Sequence, residues 1–360
     1  MAPSQARPRS SVGEGSPIGR LCRCAIGLVA LLGVSAGLAA CSSAGTGHGT
    51  PSVSVAGKKS CGKTPTQTGA ASMPVTMSDV SGSKLVTVGV CVGTNGPYPF
   101  VVDTGSTTSM IDSGLASTLH LKAAGSAALG GLGCAASADL VSAPAMSMGN
   151  IPLESQNFVS TSLSNWAGKS VDGVLGSDVL GRFGAVKLDL QKGKLTVGAS
   201  EGLPPTRHEL IIGKPGAAPP GSLLTTKAVV TVPMTVVYGP NTTAAYTNVE
   251  VTGHGPNAFV VDTGSPSTTL SSTLTSSLHI ASSGTGNPPG GVGCTSQVPA
   301  LAPTDVALAL TSQKLSFLRS LPINGPQRGG IAGGLGLDFV VTYGTIIIDY
   351  AGADLTIAHG

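Results

Sequence analysis

Along most of the chain, apolar and polar positions alternate in short runs. "KLVTVGVCV", "NVEVTG", "AVKLDLQKGKLTV" and "TIIIDYAGADLTI" are rich in Val, Ile and Thr and are cut by Gly, Asn and Asp. A period near two, broken every few residues by turn formers, predicts β-strands. In the last two runs, "QKGK" and "YAGA" fall where tight hairpin turns belong. Only "SDVLGRF" and its partner "LDFVVTY", each next to a Leu-Gly step, are long enough for a short helix. The pattern predicts an all-β protein with few short helices.

The runs come in two collinear sets. "FVVDTGS" from Phe100 recurs from Phe259, so Asp103 and Asp262 are 159 residues apart. "STLHL" returns as "SSLHI" and "LGGLGC" as "PGGVGC", and "DGVLGSDVLGRF" is followed in outline by "GGLGLDFVVTYG". Similar blocks in the same order mean duplication of a whole unit. The expectation is two homologous β-barrel lobes, at 74–200 and 226–360, related by pseudo-two-fold symmetry. The Pro- and Gly-rich stretch 201–225 would join them.

The N-terminus differs from both. Arg7, Arg9, Arg20 and Arg23 precede the apolar run "CAIGLVALLGVSAGLAA", the arrangement of an export signal over 1–40. Leu38-Ala39-Ala40-Cys41 resembles the lipobox of bacterial lipoproteins, which implies cleavage before Cys41, lipidation of its thiol and a membrane-anchored chain facing away from the cytoplasm. A plain secretory signal is the alternative. Residues 41–73, polar and rich in Ser and Gly, read as a flexible tether.

Composition narrows the function. The formal charge of +3 includes those four arginines and Glu14, and without them 16 basic and 16 acidic residues remain. A balanced chain offers no basic surface for nucleic acid. Aromatics make up 3% of the residues, so the core is expected to rest on Val, Leu, Ile and Ala.

The repeated turn carries the candidate chemistry. Asp103 and Asp262 each end an apolar strand run and enter a Thr-Gly-Ser turn. A carboxylate there is costly unless it is used, and Gly105 and Gly264 permit close backbone approach. Brought together across the two lobes, two such carboxylates share one proton and act as base and acid.

At this point the chain resembles the aspartic peptidases, each lobe similar to a retropepsin-like subunit and the whole similar to the single-chain, pepsin-like arrangement, over about 74–360. The family's Asp-Thr/Ser-Gly signature matches Asp103-Thr104-Gly105 and Asp262-Thr263-Gly264. Its hydrophobic-Gly element matches Leu175-Gly176 and Leu335-Gly336, about 72 residues after each Asp. Its glycine-rich flap matches Gly130-Gly131-Leu132-Gly133 and Gly290-Gly291-Val292-Gly293. The resemblance implies an endopeptidase in which Asp103 and Asp262 activate water against a polypeptide substrate. It implies that Thr104 and Thr263 cross-brace the turns, that Ser106 and Ser265 hydrogen-bond the outer oxygens of the carboxylates and hold their geometry, and that the flaps close over substrate. It implies no metal or other cofactor, and a monomer. Neither flap carries the tyrosine that pepsins place there. The alternative function is a non-catalytic peptide-binding or cell-wall-associated surface lipoprotein on the same fold.

Other residues have simpler readings. His120 and His279 are equivalent positions that duplication alone explains, Asp189 and Asp349 read as turn or surface residues, and Trp166 as core. Four cysteines remain after the signal and Cys41, which allows three pairings in an exported chain. The duplicated Cys134 and Cys294 are candidates for a bridge across the lobes, and the unduplicated Cys61 and Cys91 for a staple of the N-terminal segment. Free or merely buried flap cysteines are the alternative.

Overall fold

The structure is a computed structural model that describes residues 61, 70–80, 83–131, 134–163, 171–198, 209–212, 228–239, 242–286, 298–309, 311–316, 318–321 and 330–360. The expected signal at 1–40, Cys41 and most of the tether lie outside these residues, as do Leu132, Gly133, Trp166, Gly290, Gly291, Val292, Gly293 and Cys294. Among the described residues, strands dominate and helices are few and short. No described helix is long and apolar enough to cross a membrane.

Strands of residues 75–175 pair into one sheet and strands of 209–335 into a second. A third, antiparallel sheet runs in the order 71–74, 194–197, 185–189, 345–349, 354–358 and 228–233. Its central ladder sets Val186 opposite Ile348 and Leu188 opposite Ile346, so the hairpin of the first repeat is hydrogen-bonded to the hairpin of the second. Both hairpins turn at the positions expected from "QKGK" and "YAGA".

The same local layout occurs around each repeated turn. Strand Asn95–Val102 runs parallel to Gly173–Leu175, which is also paired antiparallel to Met110–Asp112. Strand His254–Val261 runs parallel to Ile331–Leu335, which pairs antiparallel to Thr269–Ser271. Each chain crossing therefore threads an aspartate-bearing turn between two strands that share one neighbour. Buried on both faces, Phe100, Val101 and Val102 and their counterparts Phe259, Val260 and Val261 fix where each turn begins.

Several sequence expectations are corrected. A strand spans Ala71–Val80, three residues into the expected tether, and the connecting stretch 201–225 includes strand Glu209–Ile212, paired with residues 235–238. Two further helices, Ser113–Thr118 and Ser272–Ser277, lack any apolar period and are set by their ends. Asp112 caps the first through the Gly114 and Leu115 N–H groups, and Ser271 caps the second through Leu274 N–H. Each stops with its histidine in the left-handed region, His120 at φ 52° and His279 at φ 53°. Leu121 N–H then bonds back to Ala116 and Ile280 N–H to Thr275, the six-to-one closure of a Schellman stop. The paired histidines are thus helix terminators.

The scarce aromatics are spent inside. Phe100, Phe158, Phe259, Phe339 and Tyr350 are among the largest fully buried side chains, in a core otherwise built from Val, Leu and Ile. Cys61 and Cys91 form a disulfide with Cα atoms 5.8 Å apart, joining residue 61 to strand Ser83–Val92.

Candidate active site

Asp103 and Asp262 follow directly on the two buried strands, and each main-chain N–H bonds to the hydrophobic-Gly element beside it. Asp103 N–H donates to Leu175 O and Asp262 N–H to Leu335 O, both at 3.0 Å. Beyond each aspartate the turn is tied down again, by Ser177 N–H to Ser106 O at 2.8 Å and by Leu337 N–H to Ser265 O at 2.9 Å. The carboxyl groups of Asp103 and Asp262 are hydrogen-bonded to each other. Both residues are buried.

The threonines lock the two turns together from below. Thr104 Oγ1 donates to Val261 O at 2.7 Å and accepts from Thr263 N–H at 3.2 Å. Thr263 Oγ1 donates to Val102 O at 2.8 Å and accepts from Thr104 N–H at 3.1 Å. Four bonds between groups that are almost wholly out of water fix the spacing of the turns, because breaking any one strands a buried donor or acceptor.

Glycine is required where the turns touch. A Cβ on Gly105 would overlap the Asp262 carboxyl, and one on Gly264 would overlap that of Asp103. Each glycine leaves the space that the opposite acid fills.

The serines hydrogen-bond the carboxylates, and they do so through their main chain. Ser106 N–H donates to Asp103 Oδ1 at 2.9 Å and Ser265 N–H to Asp262 Oδ1 at 2.8 Å. The hydroxyl protons go elsewhere, Ser106 Oγ to Thr108 O at 2.8 Å and Ser265 Oγ to Ser267 O at 2.7 Å. Each serine thereby closes its own turn and leaves the carboxylate to backbone donors.

Burial pushes the Asp103 carboxyl above its ordinary value, opposed by the N–H groups of Ser106 and Gly105, by the Asp262 side chain and by Gly264 N–H. A desolvated pair facing each other favours one shared proton over two negative charges.

Two further aspartates, which the sequence reading passed over, brace the turns from behind. Asp178 accepts from Ser109 N–H at 3.0 Å and Ser109 Oγ at 2.7 Å, and Asp338 accepts from Thr268 N–H at 2.9 Å and Thr268 Oγ1 at 2.7 Å. The same Ser109 and Thr268 oxygens accept from Gly176 N–H and Gly336 N–H. The repeated Gly-x-Asp at 176–178 and 336–338 is the signal that would have found them.

The flap expectation is described in part. Strands Lys122–Gly131 and Cys134–Ser142 pair until Gly131 faces Cys134, which puts Gly130 and Gly131 at the end of the ladder, and Leu132 and Gly133 lie outside the described residues. The second flap segment and the proposed Cys134–Cys294 bridge fall outside the described residues. Asp189 and Asp349 are buried turn caps rather than surface groups, accepting from Lys192 N–H and Gly352 N–H. Among the described residues, no group of three or more His, Cys, Asp or Glu side chains is placed to hold a metal ion.

No curated protein matches the chain. Residues 86–179 match the family model for aspartyl protease, a stretch that holds Asp103, the paired strands Lys122–Gly131 and Cys134–Ser142 and Leu175-Gly176, and that match supports an aspartyl protease.

Proposed function

We propose that the protein is an aspartic endopeptidase in which Asp103 and Asp262 together activate one water molecule against a peptide bond. The observation that carries this reading is the mutual hydrogen bond of two buried carboxyls, held by the reciprocal Thr104 and Thr263 brace. In the singly ionised pair, the charged carboxylate takes a proton from the bound water while the protonated partner donates to the carbonyl oxygen. The resulting tetrahedral diol collapses when the acid formed in the first step protonates the amide nitrogen and the partner carboxylate takes a diol proton, which releases a carboxylic acid and an amine and restores the singly protonated pair. In this reading the two repeats are duplicated lobes, the glycine-rich segments are flaps over a polypeptide substrate, and the enzyme works as a monomer. Cys41 carries lipid and anchors it to the membrane outside the cytoplasm.

The test is cleavage of an unfolded protein by the purified full chain. Asp103→Asn and Asp262→Asn should each remove nearly all turnover and leave the thermal melt largely intact, with chelators without effect. Substantial turnover in either variant overturns the dyad. For the address, Cys41→Ala should free the protein from the membrane fraction or leave it unprocessed, and a wild type already soluble and unlipidated refutes the anchor.

A further inference from the structure

The two turns share the threonine brace, and one chain of hydrogen bonds reaches the first turn from the second repeat. Ser177 Oγ donates to Thr104 O at 2.7 Å and is 2.9 Å from Tyr350 Oη. A serine hydroxyl has one proton, and a carbonyl oxygen can only accept. The Ser177 proton is therefore committed to Thr104, and Tyr350 must donate to Ser177. Both side chains are fully buried. The Thr104 carbonyl belongs to the same peptide group as Gly105 N–H, which donates to Asp103 Oδ1 at 2.9 Å. A donor placed on the carbonyl end of an amide polarises it and strengthens the bond made by its N–H end.

Among the described residues, the second repeat shows no equivalent. Leu337 stands where the first has Ser177, and Leu190 stands where the second has Tyr350. Leu337 has no hydroxyl to offer the Thr263 carbonyl. The hairpin contact in the third sheet brings Tyr350 from the second repeat to the first turn, so duplication followed by two substitutions makes the aspartates unequal.

We propose that Tyr350 and Ser177 are positioning residues that, acting through the Thr104–Gly105 peptide, make Asp103 the carboxylate that carries the negative charge and leave the proton on Asp262. This rests on the peptidase reading and adds a division of labour to it: Asp103 is the base toward water and Asp262 the acid toward the carbonyl oxygen. Desolvation raises the Asp103 carboxyl, and the Gly105 bond is among the forces that oppose it. The ionisable groups acting on the Tyr350 phenol are Tyr238, Asp103 and Asp178, and burial together with these holds the phenol protonated, hence a donor, at any working pH. The charged group acting on Asp178 is Arg182.

The experiment is the pH profile of kcat/KM for the full chain, with Tyr350→Phe, Ser177→Ala and the double variant. Strengthening a bond to a charged group by a tenth to a third corresponds to about half a pH unit. The relay stabilises Asp103 as an anion, so its loss should raise the first ionisation of the pair. The acid limb should move up by about half a unit, a rate loss of about threefold on that limb, while the alkaline limb stays in place. The double variant should show no further shift, because both residues act through one bond. A moving alkaline limb would put the charge on Asp262 and overturn the proposal, as would profiles with neither limb moved. Should Tyr350→Phe fail to fold, Ser177→Ala tests the same bond.

Titration of the full chain labelled with 13C at the aspartate carboxyls, assigned with Asp103→Asn, separates this proposal from the peptidase reading. Asp103 ionising first, and later in Tyr350→Phe, supports the relay even if no peptide is cleaved. Asp262 ionising first overturns it even in an active enzyme.

Discussion

Gly264 lies so close to the Asp103 carboxyl that a single added methyl group would occupy the same space. The contact is reciprocal, since Gly105 meets Asp262 in the same way, and together they set how near the acids come. Gly264→Ala should therefore push the carboxyls apart. Overpacking of this kind costs about 1–3 kcal/mol, and a displacement near 1 Å at reacting groups costs about a hundredfold in rate. We expect a folded variant with turnover lowered by about that factor or more. Ordinary turnover in Gly264→Ala would mean that the acids need not be in contact.

The brace below the acids has an energetic signature of its own. Thr104→Val keeps the shape of the side chain but leaves Val261 O without its donor and Thr263 N–H without its acceptor. Two buried groups left unpaired cost about 2–6 kcal/mol. Urea unfolding should show that loss, and Thr263→Val should match it because the bonds are reciprocal. A loss confined to one of the two variants would show that the brace is not shared equally.

How much of this was legible beforehand depended on repetition. The Asp-Thr-Gly turns, the Leu-Gly elements and the hairpin turns each stand twice in the chain, so a weak local signal was doubled. Helices Ser113–Thr118 and Ser272–Ser277 stayed hidden because six residues give no apolar period, and only their caps and left-handed histidines define them. That each serine meets its carboxylate through its N–H, with its hydroxyl proton on a carbonyl two residues on, depends on the turn's backbone geometry, which residue types alone do not show. Ser177 and Tyr350 were passed over for the opposite reason. They matter where the repeats differ, and a search for repeats discards differences.

The staple of the N-terminal segment can be checked chemically. The Cys61–Cys91 bond closes a loop of about thirty residues, which in the chain-entropy account stabilises by about 3–4 kcal/mol. Cys61→Ser should lower the denaturation midpoint by a corresponding amount, and peptide mapping without reduction should yield a fragment joining residues 61 and 91. Recovery of Cys61 joined to Cys134 or Cys294 would reassign the pairing.

The two equivalent hairpins of the third sheet differ in charge, and pH should expose the difference. In the first, Asp189 faces Lys194 across the ladder and lies 3.0 Å from the Lys192 ammonium. Burial pushes that carboxyl up, but the Lys192 N–H and ammonium outweigh it and hold it below the ordinary value. In the second, Asp349 faces Asp354, and both are buried. Burial, and then the charge of Asp349, push the Asp354 carboxyl above its ordinary 3.8. A carboxyl raised in the folded state binds its proton more tightly there than in the unfolded chain. Its contribution to stability is complete below 3.8 and is lost as pH rises through the folded value. At neutral pH the wild type therefore carries two like charges directly opposite each other, which costs up to about 1 kcal/mol. Asp354→Asn removes one charge and supplies an amide that can donate to Asp349. The variant should be more stable than wild type at pH 7 by up to about 1 kcal/mol, and the gain should shrink toward zero as the pH falls and wild-type Asp354 takes up its proton. Thermal melts of both proteins across this range decide the matter, and a gain independent of pH, or a loss at neutrality, would show that Asp354 is not the strained member of the pair.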